Sequence, residues 1–351
     1  MRKLFLLAAI AIFGLASCTE EQIFDDPQTD GNSIGFRTMI GKNNNPKAME
    51  LTNPLFAEFW VSAYRTSNDA ALTGLMPEVL IPYINNLRVF KSNTTTNEWS
   101  YTGTNYYWPG IQKLNFFAHN AGATSVMPTT QNASTDSPCP WFDFTQTSAT
   151  LTQKDVVVAK NANEVFSTGR LPVALVFSHA LCQINFSLQG AVPGPEFRIK
   201  KIELIGANTT GRYTFLPDNA DPLVYVRRWS GQTNAQPITY FENTAIPTYI
   251  TNTLVSFGDG GSGNKAIMII PQDGSNLSIK VTYDFANAGV ILVPNAEATV
   301  SLNGQGMNSG KKVRFNLTIP VPTSITGNRI EFTGTVTDWT GEVAEPFTLI
   351  N

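Results

Sequence analysis

Histidine and cysteine are scarce in this chain, two and three among 351 residues. The HExxH pattern and the paired Cys/His spacings of zinc sites are absent, and no GxSxG segment offers a serine nucleophile. His119 (FFAHN) and His179 (FSHAL) each stand alone beside strand-like residues, which suits a hydrogen-bonded structural histidine better than a ligand. Charge is thin as well: charged side chains are 15% of the residues and the formal net charge is −3, so no basic face for nucleic acid is implied. No long stretch keeps the roughly 3.6-residue apolar period of an amphipathic helix. A phosphate loop is excluded too. The glycine-rich GDGGSGNK at 258–265 lacks the Lys-Ser/Thr pair, and the AIMII after it reads as a strand, so no helix N-terminus faces a phosphate. Asp218 and Asp221 sit among turn residues, where an aspartate bonds its own backbone. No enzymatic centre, metal or cofactor is expected.

What the chain does have is Thr, Asn, Gly and Pro in quantity, with apolar residues weighted to Val, Ile and Phe. That is the composition of short strands joined by turns. Alternation of period two recurs. Ile34, Phe36, Thr38 and Ile40 share one face of SIGFRTMI, and Ala57, Phe59, Val61 and Ala63 one face of AEFWVSAY. Leu277, Ile279, Val281, Tyr283 and Phe285 do so in LSIKVTYDF, as do Val313, Phe315, Leu317 and Ile319 in KKVRFNLTI. Half-buried antiparallel strands follow. Breakers fill the connections, NNNP at 43–46, SPCP at 137–140 and GAVPGP at 190–195. The reading is an all-β chain of two sandwiches, divided near residue 172 into 33–172 and 173–351. The aromatic residues Trp99, Tyr101, Tyr106, Tyr107, Trp108 and Trp141 lie mostly in strand-like stretches, which favours core packing over a sugar-stacking platform.

The chain start has the layout of an export signal. Arg2 and Lys3 precede LFLLAAIAIFGLA, which is too short for a permanent transmembrane helix. Leu15-Ala16-Ser17-Cys18 then fits a bacterial lipobox, so residues 1–17 are read as a signal peptide and Cys18 as the lipidated first residue of the mature chain. Residues 18–32 form an acidic tether, whose Thr19-Glu20-Glu21 resembles the signals that send Bacteroides-group lipoproteins to the outer surface. Cys139 and Cys182 remain, and their settings favour two independent thiols over a disulfide.

Taken in order, the lipobox and acidic segment, SIGFRTMI, FAEFWVSAY, WSYTGTNYYWPGIQKLNFFAHN, FSHALCQINFSL, and GKKVRFNLTI before RIEFTGTVTDW resemble the fimbrillin-like family. These are type V pilus subunits and related surface lipoproteins of Bacteroides-group bacteria. The resemblance implies two tandem transthyretin-like sandwiches, exported as a lipoprotein to the cell outer membrane and clipped by a trypsin-like protease. The clipped chain loses its first strand and takes one from a neighbouring pilus subunit, which is β-strand addition between chains. Carried onto this sequence, the strand lost is SIGFRTMI, with Ile34, Phe36 and Ile40 as its plugging residues. The cut falls between Lys47 and Ala48, where the family often has Arg-Ala, with Arg37 as a second candidate inside the strand. The donated strand comes from the last residues, where Phe347 and Leu349 alternate, although the same segment also reads as a simple last edge strand. The function implied is a structural subunit of a surface fimbria serving adhesion. The alternative is a surface lipoprotein that never polymerises and binds a glycan or a host ligand.

Overall fold

The computed structural model describes residues 33–40, 56–66, 71–72, 80–93, 98–127, 140–148, 153–167, 169, 171–215, 228–245, 247–257, 266–324, 328–338 and 346–347. Among them there is no α-helix, only strands and one 3-10 turn, Gly274–Asn276. In chain order the strands begin with β1 (Phe36–Ile40), β2 (Glu58–Thr66), β3 (Leu80–Asn93), β4 (Glu98–Ser100), β5 (Leu114–His119), β6 (Trp141–Thr145), β7 (Val157–Glu164) and β8 (Val173–His179). There follow β9 (Cys182–Gly190), β10 (Glu196–Thr214), β11 (Trp229–Glu242), β12 (Thr248–Ile250), β13 (Val255–Phe257), β14 (Ile267–Ile269) and β15 (Gln272–Asp273). The last are β16 (Ser278–Asn287), β17 (Val290–Ser301), β18 (Gly306–Met307), β19 (Lys311–Ile319), β20 (Asn328–Arg329), β21 (Glu331–Asp338) and β22 (Pro346–Phe347).

The first sheet has the order β1-β8-β7-β5-β2-β3-β4. One of its faces carries Phe59 and Val61 of β2, Ile84 of β3, Phe116 of β5, and Leu175 and Phe177 of β8, all buried in a single core. Register shifts in the β2–β3 pairing around Ala63 sharpen the strand twist, and the sheet curls until its two edges meet. There β1 touches β4, and the Ile34 N–H just before β1 donates to the Tyr106 carbonyl at 2.8 Å. The first core is therefore wrapped by one continuous sheet. β8 belongs to this sheet, and the chain passes to the next set of strands at Ala180 and Leu181.

The second core lies between two sheets, β11-β10-β16-β17-β20 and β13-β9-β19-β21-β22, with β14 also paired to β9. Their inner faces bring Phe197, Val281 and Tyr283 against Phe186, Phe315 and Leu317. The alternating faces of β16 and β19 fall here as their sequences require, since the opposite face of each is more open to water.

A third core joins the halves. β10 runs for 19 residues and bends at several register shifts, which lets one strand serve two partners along the same edge. Its first part pairs with β16, and its last part pairs with β6 from Thr210↔Thr145 to Thr214↔Trp141. The outer face of the first sheet packs against this far end, with Tyr64 and Phe117 meeting Phe142, Tyr213, Phe215 and Trp229. One shift in β10 requires glycine: Gly206 has φ +84°, and a Cβ there would stand 2.1 Å from the Asn276 carbonyl oxygen.

Two expectations are corrected. β2 is buried at nearly every residue, because the third core covers the face that alternation had assigned to solvent, and β5 beside it is buried throughout. The pairings are also not all antiparallel: β1–β8, β9–β19 and β17–β20 are parallel.

Candidate functional site: the entering segment

Ser33 to Ile40 is held from two sides. Ser33 forms an antiparallel bridge with Tyr107, and the Tyr101 hydroxyl donates to the Ile34 carbonyl at 3.0 Å. On the other side the Val173 N–H donates to the Gly35 carbonyl at 2.8 Å, and β1 then pairs in parallel with β8 from Phe36↔Val173 to Ile40↔Phe177. β1 is the end strand of its sheet.

Alternation places the side chains. Ile34 and Phe36 are buried, Arg37 points to solvent and Thr38 is half-buried. The Phe36 ring lies edge-on to Phe59 at 6.2 Å, Tyr101 at 6.3 Å and Phe116 at 6.0 Å. Those aromatic contacts and the removal of Ile34 and Phe36 from water hold the segment by some 3 to 6 kcal/mol, before its ordering cost. Without the segment, Val173, Leu175, Phe177 and Phe59 would line an open apolar groove, beside the unpaired N–H and C=O groups of β8.

Tyrosines surround the mouth of that groove. Tyr83 donates to the Tyr107 carbonyl, and Tyr106 packs between Tyr83 and Tyr101 with centroids 6.5 and 6.3 Å away. Burial raises the Tyr83 phenol above its ordinary value, so it remains a neutral donor. The Arg65 guanidinium lies 5.9 Å over the Tyr83 ring and donates to Gln112 Oε1 at 2.6 Å. The role of these tyrosines was missed in the sequence; the aromatic run YTGTNYYW beside a Pro-Gly turn was its only sign.

At the other end of the chain, β22 pairs antiparallel with β21 through Gly334↔Phe347 and Thr335↔Pro346. β22 therefore runs in the same sense as β9 and β19, toward the Gly190 end of the second sandwich. Cys18, Lys47, Ala48, Cys139, Asp218, Asp221, Trp339, Leu349 and the 258–265 loop lie outside the described residues, as do the side chains of Ile40 and Phe347.

The remaining residues singled out by the sequence are part of the framework. His119 is buried between Trp60 and Phe142, and its Nδ1 accepts from the Ala121 N–H at 3.2 Å. Burial holds its imidazole down at about 4. His179 Nδ1 stands 2.7 Å from Asp155 Oδ2. Cys182 is a free, fully buried thiol, which burial pushes up to about 12. Among the described residues no group of three His, Cys, Asp or Glu side chains is placed to hold a metal ion. Trp99 and Tyr101 are buried, and Tyr106 and Trp108 pack against the first core. The Arg212 guanidinium lies 3.4 Å over the Trp141 ring, beside an open trough of about 350 Å³ lined by Asp143, Thr210 and Ser230. One face of that indole is thereby occupied.

A family model described as fimbrillin-like matches residues 55–339. No curated protein matches the sequence. Among solved structures, the chain is similar to a fimbrial protein from Bacteroides vulgatus, with 17% identity and a TM-score of 0.57 over 88% of this chain and 99% of that one. A candidate cell adhesion protein from Bacteroides ovatus gives 14% identity and a TM-score of 0.49 over 89% and 99%. The tip fimbrial protein Mfa3 from Porphyromonas gingivalis gives 10% and 0.37 over 81% and 94%.

Proposed function

Because the chain belongs to the fimbrillin-like family, we propose that it is a non-enzymatic subunit of a surface fimbria, assembled by exchange of its first strand. The precursor is held at the outer membrane by lipid on Cys18. A trypsin-like protease cuts between Lys47 and Ala48, and the lipid leaves with residues 33–40. A strand from a neighbouring subunit, of the kind represented here by Phe347 and Leu349, then fills the groove beside β8.

The observation that carries this reading is the burial of Ile34 and Phe36 on a strand with a single ladder partner. The segment is a core component whose ladder runs along one edge, with the Ser33–Tyr107 bridge and the hydrogen bonds of Ile34 to Tyr106 and Tyr101 on its other side. Direction supports the exchange as well. β1 enters at the end of the first sheet where β8 begins, and β22 is directed toward the end of the second sandwich where β9 finishes. Subunits stacked in one sense bring an outgoing tail into a groove with the polarity of β1.

Limited trypsin digestion of lipid-free precursor, read by N-terminal mass and on gels without boiling, tests the proposal. A new N-terminus at Ala48 with a ladder of detergent-resistant multimers is expected. A cleaved chain that stays monomeric would sink it.

A further inference from the structure

Three polar side chains from three neighbouring strands meet on the sheet face turned away from the second core. Lys200 lies on β10, Asp284 on β16 and Asn295 on β17, and these strands are adjacent in the order β10-β16-β17. Lys200 Nζ stands 2.7 Å from Asp284 Oδ1 and donates to Asn295 Oδ1 at 2.8 Å. The same Asp284 oxygen accepts from the Asn295 N–H at 2.8 Å. The Lys200 and Asp284 side chains are 17 and 4% exposed, so amine and carboxylate face each other largely out of water.

The pairing register shifts beside all three residues. Lys200 falls between the pairs Ile199↔Tyr283 and Lys201↔Thr282, while Pro294 and Asn295 together face Asp284 between Phe285↔Val293 and Tyr283↔Ala296. Such bulges re-aim side chains, and two of them converge here on one carboxylate. Asn295 sits at φ +52°, in the left-handed region that a non-glycine residue enters at a cost. That turn presents its N–H to Asp284 and its side-chain amide to Lys200. The neighbouring cations are engaged elsewhere, Arg198 with Glu196 at 2.9 Å and Lys201 with Glu203 at 2.7 Å.

We propose that Lys200 and Asn295 are joined by an intramolecular isopeptide bond, which the chain forms by itself with Asp284 as base and acid. The Asp284 carboxylate takes a proton from the Lys200 ammonium. The freed Nζ lone pair attacks the Asn295 side-chain carbonyl carbon, one carbonyl bond of about 1.2 Å beyond the oxygen that Nζ already touches. Asp284 relays this first proton, and then a second from the attacking nitrogen, to the side-chain amide nitrogen. The Cγ–Nδ2 bond breaks with its electron pair on nitrogen, and ammonium leaves. A neutral Nζ–Cγ amide remains, and Asp284 is a carboxylate again. Holding the three groups in contact replaces the collision that a free amine and amide would need. The bond ties β10 to β17 across β16 and links positions 95 residues apart. It restricts the unfolded chain as a disulfide does, without a cysteine pair and whether or not strands are exchanged between subunits.

The intact mass of the folded, lipid-free full chain tests this. Wild type is expected about 17 Da below the mass of its sequence, one ammonia per chain. A digest of the denatured protein should contain a branched peptide joining Lys200 to Asn295. Lys200→Arg keeps a cation against Asp284 and should carry its full mass. Asp284→Asn keeps an acceptor for the Asn295 N–H, leaves amine and amide in place, and should also carry its full mass when freshly folded. Should Asp284→Asn fail to fold, wild type and Lys200→Arg decide. Wild type at full mass overturns the inference and leaves Lys200 and Asp284 as an ordinary ion pair. A loss that persists in Lys200→Arg, the mark of an asparagine closed on its own backbone, overturns it as well. So does a branched peptide at other residues, or a folded Asp284→Asn that loses ammonia as wild type does.

Discussion

Phe36 and Phe116 stand edge to face, ring centroids 6.0 Å apart and planes at 80°, and this contact fastens the entering segment to β5, the middle strand of the first sheet. Truncating Phe36 removes both the burial and the aromatic edge. Phe36→Ala should lower the stability of the uncut chain by about 3 to 5 kcal/mol in urea titration, and Phe36→Asp by more, since it buries an unpaired charge. Arg37→Ala, one residue along and facing water, should move it by less than about 0.5 kcal/mol. Equal effects at the two positions would contradict the face assignment.

His119 gives stability a pH dependence whose sign is fixed. Its folded value of about 4 lies below the ordinary 6.5, so between these values the unfolded chain binds the proton and the folded chain does not. Its contribution is complete above about pH 6.5 and is lost as pH falls toward about 4. Between pH 7 and pH 5 the loss attributable to this residue is about 2 kcal/mol. In His119→Phe the difference between urea midpoints at those two pH values should shrink accordingly; an unchanged difference would mean that other groups carry it.

Gly206→Ala combines two penalties, a left-handed backbone at φ +84° and a Cβ 2.1 Å from a carbonyl oxygen. Backbone on the opposing side cannot yield as a flexible side chain would. A loss of at least about 2 kcal/mol is expected in thermal or chemical melts.

Arg212→Ala should be mild by comparison. The pair with Asp143 is bidentate, at 2.7 and 2.9 Å, but both side chains are well exposed, so the cost in melts is about 1 kcal/mol or less. The same substitution uncovers the Trp141 face. A rise in affinity for a soluble glycan on uncovering it, detected by tryptophan fluorescence, would revive the reading of a sugar-binding surface.

Where one face of a strand meets water, the sequence is legible. Val313, Phe315, Leu317 and Ile319 alternate with Lys312, Arg314, Asn316 and Thr318, and the buried face of β19 is the one so marked. Ile34 and Phe36 were legible for the same reason. β5 was only partly so, because Phe116 faces the first core and its neighbour Phe117 the third, and a run of apolar residues carries no face label. Parallel and antiparallel ladders share the same period, so the direction of β1 against β8 could not be read. Nor could Tyr101 and Tyr106 be read as partners of Ile34, since nothing local in the chain records a contact between segments so far apart.

β10 also dictates an order of events during synthesis. The outer face of the first sheet, with Tyr64 and Phe117, is covered only when Tyr213, Phe215 and Trp229 arrive, and β6 has no ladder partner among the described strands until Thr210–Thr214 is present. A chain emerging from its N-terminus therefore carries an adhesive, unfinished half for the time it takes to make the next several dozen residues. Until the later strand closes over it, that face stays open to water and to other chains.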